Sequence, residues 1–225
     1  MIEIKHKTTG EVLLQLEVET LEGANLIGAN LAYANLGAAN LYEARMNSAT
    51  LHAANLDDAH LVDAVLQGAD LNKATLREAN MFGADLSGAN LNGARMLAAW
   101  MGNANLTGAW LYNANMQGAN LSSANLSEAN LSRCALRSAD LRAANLEEAN
   151  LSRASLLDAW LADANLNRAK LAGCNLHGAD FGQAHLQGAK LSGARYNEAT
   201  RWPPGFDPKA EGAILDDSTR KQLWK

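Results

Sequence analysis

Aromatic residues make up only 5% of the 225-residue chain, so any core must be aliphatic. Cysteine is scarcer still. Cys134 and Cys174 are too few for a disulfide scaffold, and they fit a reducing, cytoplasmic setting. The three prolines, Pro203, Pro204 and Pro208, all fall in one short stretch near the end. No run approaches the ~18 consecutive apolar residues of a membrane-spanning helix. The opening MIEIKHKTTG lacks the apolar segment of a secretory leader, so no membrane association is expected. An excess of positive charge is missing too. Nineteen Lys and Arg face 24 Asp and Glu, net −5, which speaks against a nucleic-acid partner held by a basic surface. The apolar share of 48% excludes a disordered chain.

What the chain does have is a five-residue period that never slips. Of the 36 positions read every fifth residue from Leu21 to Tyr196, 29 are Leu and five are Met; the others are Phe181 and Tyr196. Of the 36 read from Ala24 to Ala199, all are Ala except Cys134 and Cys174. Neither series holds a charge, so these are two inward phases of one repeating unit. A period of five fits neither a helix nor a plain strand. Ala and the Leu two positions later are at strand spacing and can share one side of a short extended segment. The next two residues must then turn the chain, and Gly fills 12 of the 36 positions two after the Leu, as a tight corner favours. Asn or Asp stands just before the Leu in 20 of 36 cases; such side chains bond nearby backbone at turns and form ladders between coils.

Runs such as ANLSGANLNGA, ANLSSANLSEANL and ADLRAANLEEANL resemble the pentapeptide-repeat family, whose motif is A(D/N)LXX. The resemblance extends over residues 21–200 without a gap. It implies an all-β fold, a right-handed quadrilateral β-helix with four pentapeptides per coil. Thirty-six repeats then make nine coils, about 43 Å at the spacing of paired strands. The family has many members of cyanobacterial type without assigned biochemistry, and the WPPGFDP tail resembles theirs.

The ends break the period. In residues 1–20, Ile2 and Ile4 alternate with charged residues, and Val12, Leu14, Leu16 and Val18 alternate with the residues between them, around Thr9-Gly10, which predicts a hairpin cap. In residues 201–225 the prolines predict an end to the ladder near Thr200, with Trp202 and Phe206 as a lid. A short terminal helix begun by Asp216 or Asp217 would follow.

Catalytic chemistry is not legible. At twenty residues per coil, His52, His60, His177 and His185 fall on four different sides, and no Cys/His cluster has metal spacing. Cys134 and Cys174 are expected as core thiols two coils apart, about 10 Å, too far for a disulfide. No phosphate-binding loop or nucleophile elbow occurs. The chain reads as a non-enzyme without cofactor or metal.

The surface is more informative. The side containing Leu21, Leu41 and Leu61 carries net −5, and the opposite side, with Lys73, Arg133, Arg153, Lys170 and Lys190 against Asp70, carries net +4. Tyr42, Val62 and Phe82 recur at twenty-residue intervals and should form one outward column, with Trp100 next to it in the following coil beside His60 and Asn80. That is an apolar stripe with a polar rim, the composition of a binding hot spot; the alternative is that the rings cement adjacent coils. Trp110 and Tyr112 make a smaller pair on the opposite side. The expected function is a rigid protein-binding scaffold, monomeric or weakly dimeric, with an unidentified protein partner. The resemblance also offers a DNA-mimicking inhibitor or protector of DNA gyrase, although such a mimic would be acidic along its length.

Overall fold

Each corner of the fold is a β-turn closed by the Ala N–H bonding back to the Leu carbonyl three residues earlier, as in Ala149 to Leu146 at 3.0 Å. The turn places one residue, two after the Leu, in the left-handed region. All 35 such positions from 23 to 193 have φ between +52° and +72°, the mark of a type II turn. Gly occupies 12 of them and a side-chain-bearing residue the other 23. Each of those 23 stores about 1 kcal/mol of backbone strain, offset by burial of the Leu and Ala that the turn directs inward.

The hydrogen-bond pattern of one repeat explains the whole. In residues 145–149 the Asn145 N–H donates to Ala124 of the preceding coil (2.9 Å). Leu146 and Glu148 donate to Asn165 and Asn167 of the next (2.7 and 3.0 Å), and Ala149 closes the turn. Only the Glu147 N–H is left over, and the Asn145 Oδ1 accepts it at 3.2 Å. The same bond, from the residue after Leu to the Asn or Asp before it, recurs along the chain, for example Phe82 to Asn80 (3.2 Å) and Arg142 to Asp140 (3.1 Å). Asn and Asp are frequent there because they accept the one backbone donor that the ladder cannot serve.

A computed structural model describes residues 1–216. Parallel bridges join residues twenty apart on four sides, from Asn25–Arg45 to Asn175–Arg195. The chain is a right-handed quadrilateral β-helix, filled by Leu, Met and Ala that are almost wholly buried. We number the faces by their ladders. The first runs through Asn40, His60, Asn80, Trp100, Asn120, Asp140, Trp160 and Asp180; the third runs through Asn30, Thr50, Asp70, Asn90, Trp110, Asn130, Asn150, Lys170 and Lys190. The second and fourth lie between them, on the Asn25 and Asn35 ladders.

At the start, β1 (Ile2–Lys5) and β2 (Val12–Leu16) form an antiparallel hairpin. It joins the first coil through a His6–Ala34 bridge, and Ile2, Leu13, Leu14 and Leu16 pack on the core end. At the other end the ladder does not stop at Thr200. Arg201 pairs with Asp180, one residue out of the twenty-residue count, and its N–H and carbonyl both enter the ladder. The chain then loops through the prolines and returns as β4 (Ile214–Leu215), parallel to β3 (Arg195–Tyr196). A proline-rich segment can do this because the prolines occupy the loop, where no ladder donor is needed. Trp202 stacks on Phe181 (4.8 Å, 3° between planes), meets Tyr196 edge-on and is covered by Phe206. Asp216 is not helical; the remainder of the expected terminal helix, with Trp224, lies outside the described residues.

Candidate partner-binding faces

Tyr42, Val62 and Phe82 each follow a buried Leu or Met in successive coils of the first face, and His60–Asn80–Trp100 is a continuous ladder beside them. Exposure is uneven along the stripe. Tyr42 and Val62 are half-buried, His60 is exposed, Phe82 is 48% and Trp100 60% exposed. The rings of Phe82 and Trp100 stack on no other ring among the described residues. The Tyr42 phenol is raised above its ordinary pKa, chiefly by its hydrogen bond to the Glu43 carboxylate.

Phe82 and Trp100 differ in what they do for the fold. Phe82 lies over Gly102 of the next coil, where a Cβ would come within 3.2 Å of its ring, and Gly102 is buried beneath it. Half of this side chain is coil cement. Trp100 stands in the position that is Asn or Asp in 20 of 36 repeats, and a Trp side chain cannot accept the N–H of Gly102. Leu97, 41% exposed, stands at the corner where the fourth face meets the first. Sequence reading missed both Leu97 and the role of Gly102. The available signal was a Gly placed directly after Met101, out of phase with the corner glycines.

Trp160 lies on the same ladder as Trp100, 52% exposed, with the Arg142 guanidinium 5.4 Å from its ring centre. On the third face Trp110 is 61% and Tyr112 42% exposed. Trp110 also lacks the accepting oxygen of an Asn or Asp, and here the Tyr112 N–H is served by the Asn92 Oδ1 of the preceding coil at 2.8 Å.

The two cysteines are buried in one inward column. Their thiols donate to the carbonyls of Leu111 (2.8 Å) and Leu151 (2.9 Å). Burial pushes both pKa values up to about 12, so neither is a thiolate at neutral pH. Among the described residues no group of His, Cys, Asp or Glu could hold a metal ion, and no helix is long and apolar enough to cross a membrane.

The fold and its decorated faces define a β-solenoid of the repeat-protein class, with chemistry confined to outward side chains. The pentapeptide-repeat family model matches in eight copies over residues 21–58, 59–96, 101–137, 129–168 and 164–195, and the chain belongs to that family. Among solved structures, a trypsin-treated variant of QnrB1, a plasmid-mediated fluoroquinolone resistance protein, superposes with a TM-score of 0.62 at 16% identity, covering 89% of this chain and 91% of that one. This is a likeness of fold. HetL, a pentapeptide repeat protein involved in heterocyst differentiation regulation in the cyanobacterium Nostoc, is 30% identical over 88% of this chain and 87% of that one, with a TM-score of 0.34. Rfr23, from the cyanobacterium Cyanothece, is 29% identical over 55% of this chain and 90% of that one, with a TM-score of 0.32. No curated protein sequence matches the chain.

Proposed function

We propose that this protein is a non-enzymatic, cytoplasmic scaffold that docks another protein against its first face, with Phe82 and Trp100 as anchors and Tyr42, Val62 and His60 around them. The observation that carries this reading is Trp100. It stands where 20 of 36 repeats carry an Asn or Asp whose oxygen serves the turn, and it leaves 60% of its surface in water. A residue that gives up a hydrogen bond of the fold, worth about 1 kcal/mol, without being buried in return is explained by an external contact. Glu43 and Asp63, exposed beside the stripe, supply a polar rim.

The test is a pull-down from source-organism lysate with the wild type beside a Phe82→Glu, Trp100→Glu variant, both verified as folded by circular dichroism. A partner retained by the wild type and lost by the variant supports the reading; identical captures, or none, overturn it. The gyrase reading asks for a surface acidic along its length; the six carboxylates of the first face are partly balanced by Arg142 and Arg201, and the third face is cationic. Capture of a gyrase subunit, followed by an effect in a supercoiling assay, would put it first.

A further inference from the structure

Four arginines of this molecule are held by carboxylates along the coils. Arg77 is locked to Asp57, Arg142 to Asp140, Arg168 to Glu147 and Glu148, and Arg201 to Asp180. None of these is on the third face. That face carries Arg133, Arg153, Lys170 and Lys190, all exposed, and from Asn90 to Gly193 its outward positions hold no Asp or Glu. Lys170 and Lys190 are direct ladder partners, a like-charge pair that destabilises the coil it sits on. The row spans three coil steps, about 14 Å. At its head stand Trp110 and Tyr112, with the Arg133 guanidinium 5.8 Å from the Tyr112 ring centre. At its foot Gly173 and Gly193 leave a floor without side chains, opening on a hollow of about 480 Å³ edged by Arg153, His177 and Arg195. A carboxylate already stands there: Asp216 is 3.9 Å from the Arg195 guanidinium and 3.7 Å from the His177 imidazole.

We propose that the third face is a second docking surface, built for an acidic segment of a partner polypeptide. Trp110 and Tyr112 seat an apolar residue of that segment, and Arg133, Arg153, Lys170 and Lys190 pair with its carboxylates. Recognition runs through side chains because the backbone donors of each coil are spent on its neighbours. The occupant is a narrow chain and not a nucleic-acid duplex. A duplex presents two phosphate rows and would overhang the corner with the second face, where Glu128, Glu147 and Glu148 outnumber Arg168. This surface lies opposite Trp100, so the rod can hold two partners at once.

The experiment is fluorescence anisotropy with the purified full chain and a labelled peptide of alternating Glu and Gly carrying one central Phe. The same peptide with Gln for Glu, and a single-stranded and a duplex oligonucleotide, serve as comparators. The acidic peptide is expected to bind in a salt-dependent manner. Lys170→Glu with Lys190→Glu should weaken it by about tenfold or more, and Trp110→Ala by severalfold. Lys170→Gln with Lys190→Gln should give an intermediate loss and removes any concern over folding. Arg45→Glu with Arg95→Glu changes the net charge equally on other faces and should have little effect. The proposal is overturned if the Gln peptide binds as well, if the third-face variants bind like the wild type, or if the control variant loses as much. Tighter binding of either oligonucleotide would overturn it too. Retention of the peptide by the Phe82→Glu, Trp100→Glu variant separates this surface from the first-face reading.

Discussion

If Asn and Asp recur before the Leu because they serve the one spare backbone donor, then Asn145→Ala is the direct perturbation. The Asn145 Oδ1 accepts from the Glu147 N–H (3.2 Å) and the Asn165 Nδ2 (3.1 Å), and its Nδ2 donates to the Asn125 Oδ1 (3.1 Å). Alanine removes three hydrogen bonds of about 0.5–1.5 kcal/mol each and leaves a partly buried N–H unserved, so the expected loss is about 2–4 kcal/mol. Asn145→Asp keeps both acceptor bonds and loses only the donation to Asn125. The added charge stands beside Glu147 and Glu148, which already outnumber Arg168, so that loss should be about 1–2 kcal/mol, still smaller than for Ala. Urea unfolding measures the totals, and amide hydrogen exchange locates them. Protection of the Glu147 amide should collapse in the Ala variant and survive in the Asp variant. An Ala variant as stable as the wild type, or an Asp variant no better than Ala, would refute the account of why these residues recur.

Two further predictions follow from the turns and the ion pairs. Gly108 has φ +62° and nothing within 4 Å of where a Cβ would stand, so Gly108→Ala should destabilise by about 1 kcal/mol through the backbone alone. Ala53→Gly, at φ +52°, should recover part of the corresponding strain; equal stabilities in denaturant would show that the left-handed corner is not strained. The Arg142 hydrogen bond holds the Asp140 carboxyl below its usual pKa. A depressed folded-state value means the contribution is complete above the unfolded pKa of about 3.9 and is lost as pH falls through the lower folded value. A pH series of denaturation midpoints should therefore fall less steeply at acid pH for Asp140→Asn than for the wild type.

The fold was legible because the inward phases are chemically unambiguous. A Leu series and an Ala series without one charge leave no other interior, and the buried residues from Leu41 to Leu176 are those two series and Gly102. Four repeats per coil and the handedness came from the family resemblance, since periodicity alone is silent on both. The corners were read through their glycines, yet 23 corners carry ordinary side chains in the left-handed region. Composition could not show this, because the neighbouring burial decides what strain is tolerated. The Asn position was recognised as backbone-bonding, but which N–H it serves required the ladder. The end of the ladder was misplaced for the same reason: Pro203 forbids a donor only where one is needed, and a loop needs none.

The recurring bond to Asn or Asp also shows where to look for function on a molecule this uniform. A residue in the Asn position of a repeat is held there by the fold. A residue that replaces it must either find a substitute, as the Tyr112 N–H does in Asn92, or leave the fold weaker. Trp100, Trp110 and Trp160 all stand in that position with more than half of their surface in water, and so do Lys170 and Lys190, which face each other with like charge. None of these five is what the coil would select for its own stability. They form two groups, aromatic on the first face and aromatic-with-cationic on the third, and the faces are opposite sides of one rigid rod. A scaffold whose backbone donors are spent along its axis can advertise specificity only through such departures from its own repeat.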